Sequence, residues 1–387
     1  MPLTCRSLFL SLFLTSFALA APHKACVDST KNLQIILSTN IDGPESVKHL
    51  HGLVSEGAPL VVDEKNTSPS VSMVLKKLHP GDCVVFEPEE AAELAIRFPE
   101  NSNFFKNLGK IFGIGANGEK MKLVPVVYWK KRDESRHFGL MDVASLNSLP
   151  KVPVRETSLK ELLAYSTDKR FTVLYVLCPK NRESVCQLEI RHKGNWLKDP
   201  KTRKRLSFPI LGRSNRTGEK SQRILFGGDT PQGIYYVWGT MFTADPVFGN
   251  APRIDLDASM PPINSYVYEL NSPVLDGLVP RSARDDYWIH EWPLAYKLGR
   301  AYLRIHTNPA EMEKKSSTAV AHEDKLFNPT QGCLNAGASM KGLIDTLVGI
   351  GVIRREQIRT PEPATSKTLG WKVVPGIGNV FVIVRDH

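Results

Sequence analysis

The second half of the chain consists largely of short runs rich in Val, Ile, Tyr and Phe, separated by turn residues. Branched and aromatic side chains fit the pleated surface of a sheet, so these runs predict β-strands. They are FTVLYVLC, CQLEIR, SFPIL, GIYYVWGTMF, SYVYEL, AYLRIH, WKVVPG and NVFVIV. Met340, Leu343, Ile344, Leu347 and Val348 recur at helical spacing and predict one amphipathic helix. We therefore expect a mainly β domain over residues 165–387 with a helix near its end.

The first half has a more mixed pattern. Strand-like runs LQIIL, APLVVD, GDCVVFE and KLVPVVYW accompany one predicted helix, PEEAAELAIRF, and HFGLMDVASL is expected to close the unit. The run SLPKVPVRET at 148–157 contains two prolines and predicts a linker, and a short helix, SLKELLAYS, follows it. These features predict an N-terminal α+β domain over 21–155. The short strands also suggest a small barrel similar to bacterial SH3-like wall-binding modules.

The first 20 residues have a pattern of their own. Arg6 precedes an apolar run that starts at Leu8, and Ala18-Leu19-Ala20 is a small-x-small cleavage pattern. This predicts a signal peptide at 1–20. A membrane anchor is the alternative, but the run is short for a bilayer span. Since no later stretch is long enough either, we expect no transmembrane segment.

Charge and composition narrow the classes of partner. The chain has 50 Lys and Arg against 40 Asp and Glu, a net charge of +10. The basic residues are scattered, apart from KDPKTRKR at 198–205, so no nucleic-acid partner is expected. A basic exported protein suits an anionic partner such as a wall polymer or a membrane surface, although the charge can also serve solubility alone.

Neither a cofactor nor a metal is expected. GIGANG matches GxGxxG at Gly113, Gly115 and Gly118, but it precedes a strand instead of joining a strand to a helix. We interpret it as a glycine-rich turn. Cysteine pairs with the CxxC spacing of metal sites are absent from the sequence.

The cysteines point to a reactive thiol. One of six lies in the predicted leader. The other five are Cys26, Cys83, Cys178, Cys186 and Cys333. Cys178 and Cys186 flank a turn between two strand-like runs, so they are the expected disulfide. Cys26 and Cys83 then pair by elimination, although four cysteines allow three connectivities. Cys333, in FNPTQGCLNA, is left as an odd thiol in an oxidising compartment.

A cysteine nucleophile needs a base, a group that orients the base, and donors for an oxyanion. The amides of Gln331, Gly332 and Cys333 are candidate donors, and the helix that follows is expected to favour the thiolate. His306 is the favoured base because it ends a strand-like run. His322 lies in a polar stretch that predicts a surface loop, and His290 lies among aromatic residues.

Two motifs resemble those of one family. The residues HT…TQGCLN resemble the signature of L,D-transpeptidase catalytic domains of the YkuD type. The matching residues are His306, Thr330, Gly332, Cys333, Leu334 and Asn335. Upstream, GGDTPQGIYYV resembles the family's Thr-Pro-x-Gly-x-Tyr/Phe run. Its matching residues are Thr230, Pro231, Gly233 and Tyr235, and the first three are expected to hold a turn near the cleft.

The resemblance implies a β-sandwich and a mechanism. Cys333 would attack a peptidoglycan stem peptide before its terminal D-alanine, with His306 as base and the Thr307 carbonyl orienting it. Amides from Gln331 to Cys333 would hold the oxyanion. An amine acceptor gives a cross-link, whereas water gives carboxypeptidase trimming. No cofactor is implied, and wall chemistry together with disulfides favours a periplasmic location.

Two features of the sequence differ from the family's pattern, and two further sets of residues are candidates for positions near the substrate. Gln331 replaces the family's histidine, and the 23-residue gap between His306 and Thr330 predicts an inserted loop. A weakened relative or a non-catalytic wall-binding protein therefore stays an alternative. Thr330 and Asn335 are expected to shape the loop beside the substrate. Tyr287, Trp288 and Trp292 line a substrate groove or pack in the core.

Overall fold

A computed structural model describes most of the chain. The described ranges are 22–28, 34–39, 60–62, 72–97, 119–129, 131, 136–216, 222–241, 253–257, 259–260, 265–266, 273–300, 303–307, 319–323, 325–358, 368–373 and 380–387. The fold is mainly β, as predicted. Within these ranges no helix is long and apolar enough to cross a membrane. The predicted leader and the GIGANG stretch lie outside the described residues.

The first sheet has nine strands. They are β1 His23–Cys26, β2 Gln34–Thr39, β3 Leu60–Val62, β4 Ser72–Leu78, β5 Cys83–Phe86, β6 Ala92–Arg97, β7 Glu119–Trp129, β8 His137–Asp142 and β9 Lys151–Pro153. Their order is β6-β3-β4-β2-β8-β7-β5-β1-β9, and β6 also pairs with β7. This additional pairing closes part of the sheet into a ring, so the sheet curls back on itself.

Two predictions for this half are wrong. PEEAAELAIRF is a single 3-10 turn, Pro88–Glu90, followed by strand β6 instead of a helix. Pairing of β6 with both β3 and β7 outweighs the helical propensity of the alanines and glutamates. The predicted linker also contains structure, since β9 pairs with β1.

The remaining strands follow in the second half. They are β10 Thr172–Cys178, β11 Cys186–His192, β12 Asn195–Trp196, β13 Ser207–Ile210, β14 Gly233–Met241, β15 Arg253–Asp257, β16 Ser259–Met260, β17 Ser265–Tyr266, β18 Arg304–His306, β19 Val320–His322, β20 Lys325–Phe327, β21 Leu334–Asn335, β22 Ile353–Ile358, β23 Thr368–Val373 and β24 Val380–Asp386. Eleven of them form the second sheet, with the main order β12-β11-β10-β24-β14-β15-β18-β21. The pairs β16–β17 and β19–β20 are separate hairpins.

Five α-helices accompany the sheets in the described ranges. They are α1 Val143–Asn147, α2 Leu159–Ala164, α3 Pro273–Leu278, α4 Tyr287–Lys297 and α5 Ser339–Gly349. Helices α2 and α5 confirm two predictions, and a capping box between Ser158 and Glu161 starts α2. Helix α4 was not predicted. All of its residues are buried, so its sequence shows no amphipathic stripe.

A shared core joins the two sheets. Met121, Leu123 and Leu140 of the first sheet belong to the same buried cluster as Trp288 and Trp292 of α4. Both predicted disulfides are confirmed. One links Cys26 to Cys83 across β1 and β5, and the other links Cys178 to Cys186 at the ends of β10 and β11.

Candidate active site

The candidate nucleophile and base belong to adjacent strands. Strand β18 runs parallel to β21, with Ile305 opposite Leu334 and His306 opposite Asn335. Cys333 immediately precedes β21, two residues before Asn335. Because alternate residues of a strand point to the same face, His306 and Cys333 share one face of the sheet.

The other face of these strands is buried in the core. Ile254 of β15 pairs with Ile305 of β18, which in turn pairs with Leu334 of β21. All three side chains have no solvent exposure. This apolar row fixes β15, β18 and β21. The polar residues next to Ile254, Ile305 and Leu334 along each strand are therefore held at defined positions on the opposite face.

His306 is oriented as the motif implies. Its Nδ1–H donates to the backbone carbonyl of Thr307 at 3.0 Å. A carbonyl can only accept, so Nδ1 carries the proton and Nε2 is the basic nitrogen. The side chain is 4% exposed, and burial lowers the pKa of His306 to about 4. The imidazole is therefore neutral at pH 7, which is the state that a general base requires.

Cys333 is a partly buried thiol outside both disulfides. Burial raises the pKa of this thiol, although a hydrogen bond with the Arg304 backbone and the charges of Arg304 and Arg300 act in the opposite direction. This direction is opposite to the expected shift towards the thiolate, and helix α5 begins only at Ser339. Thiolate formation must depend on proton transfer to a base.

The loop before the thiol is shaped by the side chain of Thr330. Its hydroxyl donates to the Cys333 carbonyl at 2.7 Å and accepts from the Gly332 amide at 3.1 Å. Asn335 is buried and donates through its side-chain amide to the carbonyl of Asn328 at 2.8 Å. The expectation that Thr330 and Asn335 shape this loop agrees with these contacts.

These contacts also change the expected oxyanion donors. The Gly332 amide is engaged with Thr330 in this conformation, so it does not point at a substrate oxygen. Gln331 is exposed at the loop tip. The amides of Gln331 and Cys333 stay predictions as donors.

The upstream motif supports the Cys333 loop. The Thr230 hydroxyl donates to the carbonyl of Gly332 at 2.8 Å. The Tyr235 hydroxyl donates to the carbonyl of Pro231 at 2.6 Å and closes the turn. Gly233 has a φ of +137°, which a side chain rarely adopts. This motif therefore holds a turn against the candidate nucleophile, as predicted.

Tyr287, Trp288 and Trp292 do not line a groove. All three belong to α4 and are at most 1% exposed. The Trp288 indole donates to Asp286 at 3.0 Å, and Trp292 stacks on Tyr235 with ring centroids 4.8 Å apart. Since buried rings have no surface to offer a ligand, core packing is their role and the substrate-binding alternative is wrong.

The two other histidines have different surroundings. His290 is 1% exposed, and its Nε2–H donates to the Arg284 carbonyl at 3.0 Å. Burial lowers the pKa of His290 to about 4. His322 ends the first strand of the β19–β20 hairpin, where a surface loop was predicted. Of the predicted inserted loop at 308–329, residues 308–318 and 324 lie outside the described residues.

Arg300 is a residue that the sequence did not single out. It is 2% exposed and donates to the carbonyls of Gly228 at 3.0 Å, Asp229 at 2.8 Å and Arg223. Burial lowers the pKa of Arg300 to about 10, so it remains charged at neutral pH. The guanidinium lies directly behind Gly332. An isolated arginine has no signature in sequence, so only the fold reveals it.

Arg223 connects this region to the first sheet. Its guanidinium pairs with Glu87 at 3.3 Å, Glu90 at 2.8 Å, Glu291 at 2.9 Å and also with Asp386. Glu87 and Glu90 lie between β5 and β6 of the first sheet. The carboxylates of Glu87, Glu90 and Glu291 lie within 4.8 Å of one another, but the guanidinium takes the position of a cation among them. We call Arg223 and its four partners, Glu87, Glu90, Glu291 and Asp386, the Arg223 cluster.

Comparison with protein-family models gives no match, and searches of the curated proteins and of the solved structures give none either. The resemblance to L,D-transpeptidases therefore rests on the motif residues.

Proposed function

We propose that this protein is an exported L,D-transpeptidase that acts on peptidoglycan stem peptides through a thioester on Cys333. The observation that carries the proposal is the shared face of β18 and β21, which bears His306 and Cys333. The proposal gains support from the neutral imidazole, whose Nδ1–H is held by the Thr307 carbonyl. A partly buried, neutral thiol beside a neutral base is the resting state of a cysteine that is activated by proton transfer.

In the proposed reaction, the Cys333 thiol gives its proton to Nε2 of His306 while the sulfur attacks the carbonyl carbon before a terminal D-alanine. The C–S bond forms, the amide C–N bond breaks, and His306 protonates the leaving amine. D-alanine departs and a thioester remains. An amine from a neighbouring stem then attacks the thioester, the C–S bond breaks, and the thiol is restored as the cross-link forms.

Carboxypeptidase activity is the alternative outcome at the same thioester, with water in place of the amine. The first sheet, residues 23–153, is proposed to contribute affinity for the wall, in the manner of an SH3-like module. The net charge of +10 suits an anionic polymer of this kind. A purely wall-binding protein would use the same charge without the thiol.

Incubation with purified disaccharide-tetrapeptides, followed by mass spectrometry, tests the proposal. The purified protein should give a dimer that has lost one alanine, and Cys333→Ala should give none. Tripeptide without dimer would assign a carboxypeptidase instead. No product and no acyl adduct on Cys333, with retained sedimentation on wall sacculi, would assign a non-catalytic binding protein.

A further inference from the structure

The charged stretch KDPKTRKR forms a hairpin at one edge of the second sheet. It follows β12, the edge strand, and it closes through an antiparallel bridge between Lys198 and Arg205. Five basic residues against one acidic residue give these eight residues a charge of +4, out of +10 for the whole chain. We call residues 198–205 the basic hairpin. A large share of the net charge is therefore concentrated on one turn.

The turn of the basic hairpin has a defined backbone conformation. The carboxylate of Asp199 accepts from the amides of Lys201 at 2.9 Å and Thr202 at 2.7 Å. The Arg203 amide donates to the Asp199 carbonyl at 2.9 Å, and the Asp199 amide donates to the Lys204 carbonyl at 2.9 Å. The acidic side chain of the hairpin is thus bound to the backbone of its own turn, as is common for aspartate in turns.

Four basic side chains of the hairpin are exposed and have no counterion among the described residues, namely Lys198, Lys201, Arg203 and Lys204. The fifth, Arg205, forms an ion pair with Glu189 at 2.9 Å. The fold gains little from four like charges on one turn, since such charges repel one another. An anionic partner would relieve that repulsion.

The surroundings of the hairpin restrict the class of that partner. The indole of Trp196 in β12 lies against the guanidinium groups of Arg191 and Arg205, which are 4.1 and 4.2 Å from the ring centroid. Because the protein's own groups occupy this ring, it is not offered for stacking on a nucleic-acid base. The large apolar side chains that are exposed within the described ranges are Val152 in β9 and Leu326 in β20. The hairpin therefore has no apolar anchor for insertion into a membrane surface.

Strand β13 connects the basic hairpin to the Cys333 loop. Leu211, which follows β13, exchanges both backbone hydrogen bonds with Asn335 at 2.8 Å. Asn335 lies two residues after Cys333, and Leu211 lies six residues after Arg205. At about 3.3 Å for each residue, the connection spans at most about 20 Å. A polymer held on the hairpin would therefore keep its attached groups close to the candidate nucleophile.

We propose that the basic hairpin holds the protein on the carboxylate-bearing polymer that carries the stem peptides. This inference rests on the proposed function. Three of the four exposed cations are lysines, whose ammonium groups are mobile point charges. Such a surface suits charges that are repeated along a flexible chain better than a single bound group. Attachment at the hairpin raises the local concentration of peptides near Cys333 without contact with the reacting peptide.

Co-sedimentation with purified peptidoglycan sacculi tests the attachment without chemistry, in the full chain with Cys333→Ala. Adding Lys201→Gln and Lys204→Gln together should weaken binding by about tenfold at low salt. The matched control is Lys160→Gln with Lys341→Gln, which removes two exposed charges elsewhere and should leave the affinity unchanged. Because both pairs change the net charge equally, a difference between them reports the position of the charges.

Sacculi whose carboxyl groups have been amidated identify the partner group. On this polymer the difference between the two lysine pairs should disappear, and on untreated sacculi it should shrink as salt rises. Equal weakening by both pairs, no weakening by either, or a difference that persists on amidated sacculi would overturn the inference. Binding that depends on the hairpin with vesicles of equimolar phosphatidylcholine and phosphatidylglycerol, but not with sacculi, would also overturn it and assign a membrane surface.

Turnover by the protein with Cys333 intact separates this inference from the proposed function. The ratio of turnover on sacculi to turnover on soluble disaccharide-tetrapeptide should fall by about tenfold with Lys201→Gln and Lys204→Gln. An unchanged ratio, with cross-linking intact, retains the transpeptidase and rejects the attachment. No cross-linking on either substrate, together with binding of Cys333→Ala that depends on the hairpin, rejects the transpeptidase and retains the hairpin as an attachment surface.

Discussion

The guanidinium of Arg300 occupies the space in which a side chain at residue 332 would lie. A Cβ on Gly332 would collide with that guanidinium and would lie 2.5 Å from the carbonyl of Gly228. Gly332 also has a φ of +98°, in the left-handed region. Glycine at this position therefore allows the buried arginine to approach the backbone next to Cys333, where its positive charge acts on the thiol.

Gly332→Ala should displace the Cys333 loop. The added methyl group must push against Arg300, whose N–H groups are fixed by three carbonyls. We expect a loss of about 1–3 kcal/mol in the free energy of unfolding. We expect activity to fall by about a hundredfold, since displacements near 1 Å have effects of that order. Urea unfolding and the tetrapeptide assay measure the two effects.

Gly351→Ala is the matched control for this substitution. Gly351 also has a positive φ, +77°, but a Cβ there would meet nothing within 4 Å. It should lose stability through backbone strain alone, about 1 kcal/mol, with activity unchanged. If Gly332→Ala behaved like Gly351→Ala in both measurements, the close approach of Arg300 to Gly332 would contribute neither to stability nor to activity.

The reactivity of Cys333 should report a neutral thiol. Because burial raises its pKa above the ordinary value of 9.0, the thiolate is a minor species at pH 7. Alkylation by iodoacetamide should therefore accelerate steadily from pH 7 to pH 9 without a plateau. The urea-unfolded protein, whose thiol has an ordinary pKa, serves as control, and its rate should begin to level off at a lower pH than that of the folded protein. A plateau below pH 8 in the folded protein would indicate a thiolate pair with His306 instead.

The sequence predicted helix α5 and the strands of the second sheet that are rich in branched and aromatic residues, namely β10, β11, β13, β14, β18, β23 and β24, but it did not predict β12, β15, β21 or β22. It failed at residues 88–97, where pairing with β3 and β7 decides the conformation, and at α4, which is buried on every side. Cys333 was found as the odd cysteine and His306 as the histidine that ends a strand-like run, and both lie in the HT…TQGCLN motif. Arg300 and the Arg223 cluster depend on residues brought together from distant parts of the chain, and no local pattern indicates them.

Arg223→Met should destabilise the protein strongly at neutral pH. It would leave the buried carboxylates of Glu90, Glu291 and Asp386 without their shared cation, and breaking a buried pair of this kind costs about 3–5 kcal/mol. Burial raises the pKa of Glu90, and removing the cation raises it further, so the loss grows as pH rises and shrinks in acid. Thermal unfolding between pH 5 and pH 8 measures this trend.

An arginine outside the cluster provides the control for that experiment. Arg155 has a side chain that is 89% exposed and lies 3.9 Å from Glu161. Arg155→Met should leave the unfolding temperature unchanged at every pH, since exposed ion pairs contribute little. A difference between wild type and Arg223→Met that stays constant with pH would show that the cost comes from packing and not from charge.

His290 should make the folded protein sensitive to acid. Its folded-state pKa is about 4, because burial opposes the charged form, against an unfolded value of 6.5. Between these values the unfolded chain binds a proton that the folded chain does not, so stability falls as pH decreases from 6.5 towards 4. The full loss is about 3 kcal/mol, at about 1.4 kcal/mol for each pKa unit.

The variant His290→Gln tests this prediction, because it keeps a donor for the Arg284 carbonyl and removes the titration. The difference in unfolding free energy between wild type and His290→Gln should therefore decrease on acidification. The contributions of His306 and the carboxylates cancel in that difference. Parallel profiles from pH 7 to pH 4.5 would show that His290 is protonated without cost, contrary to its burial.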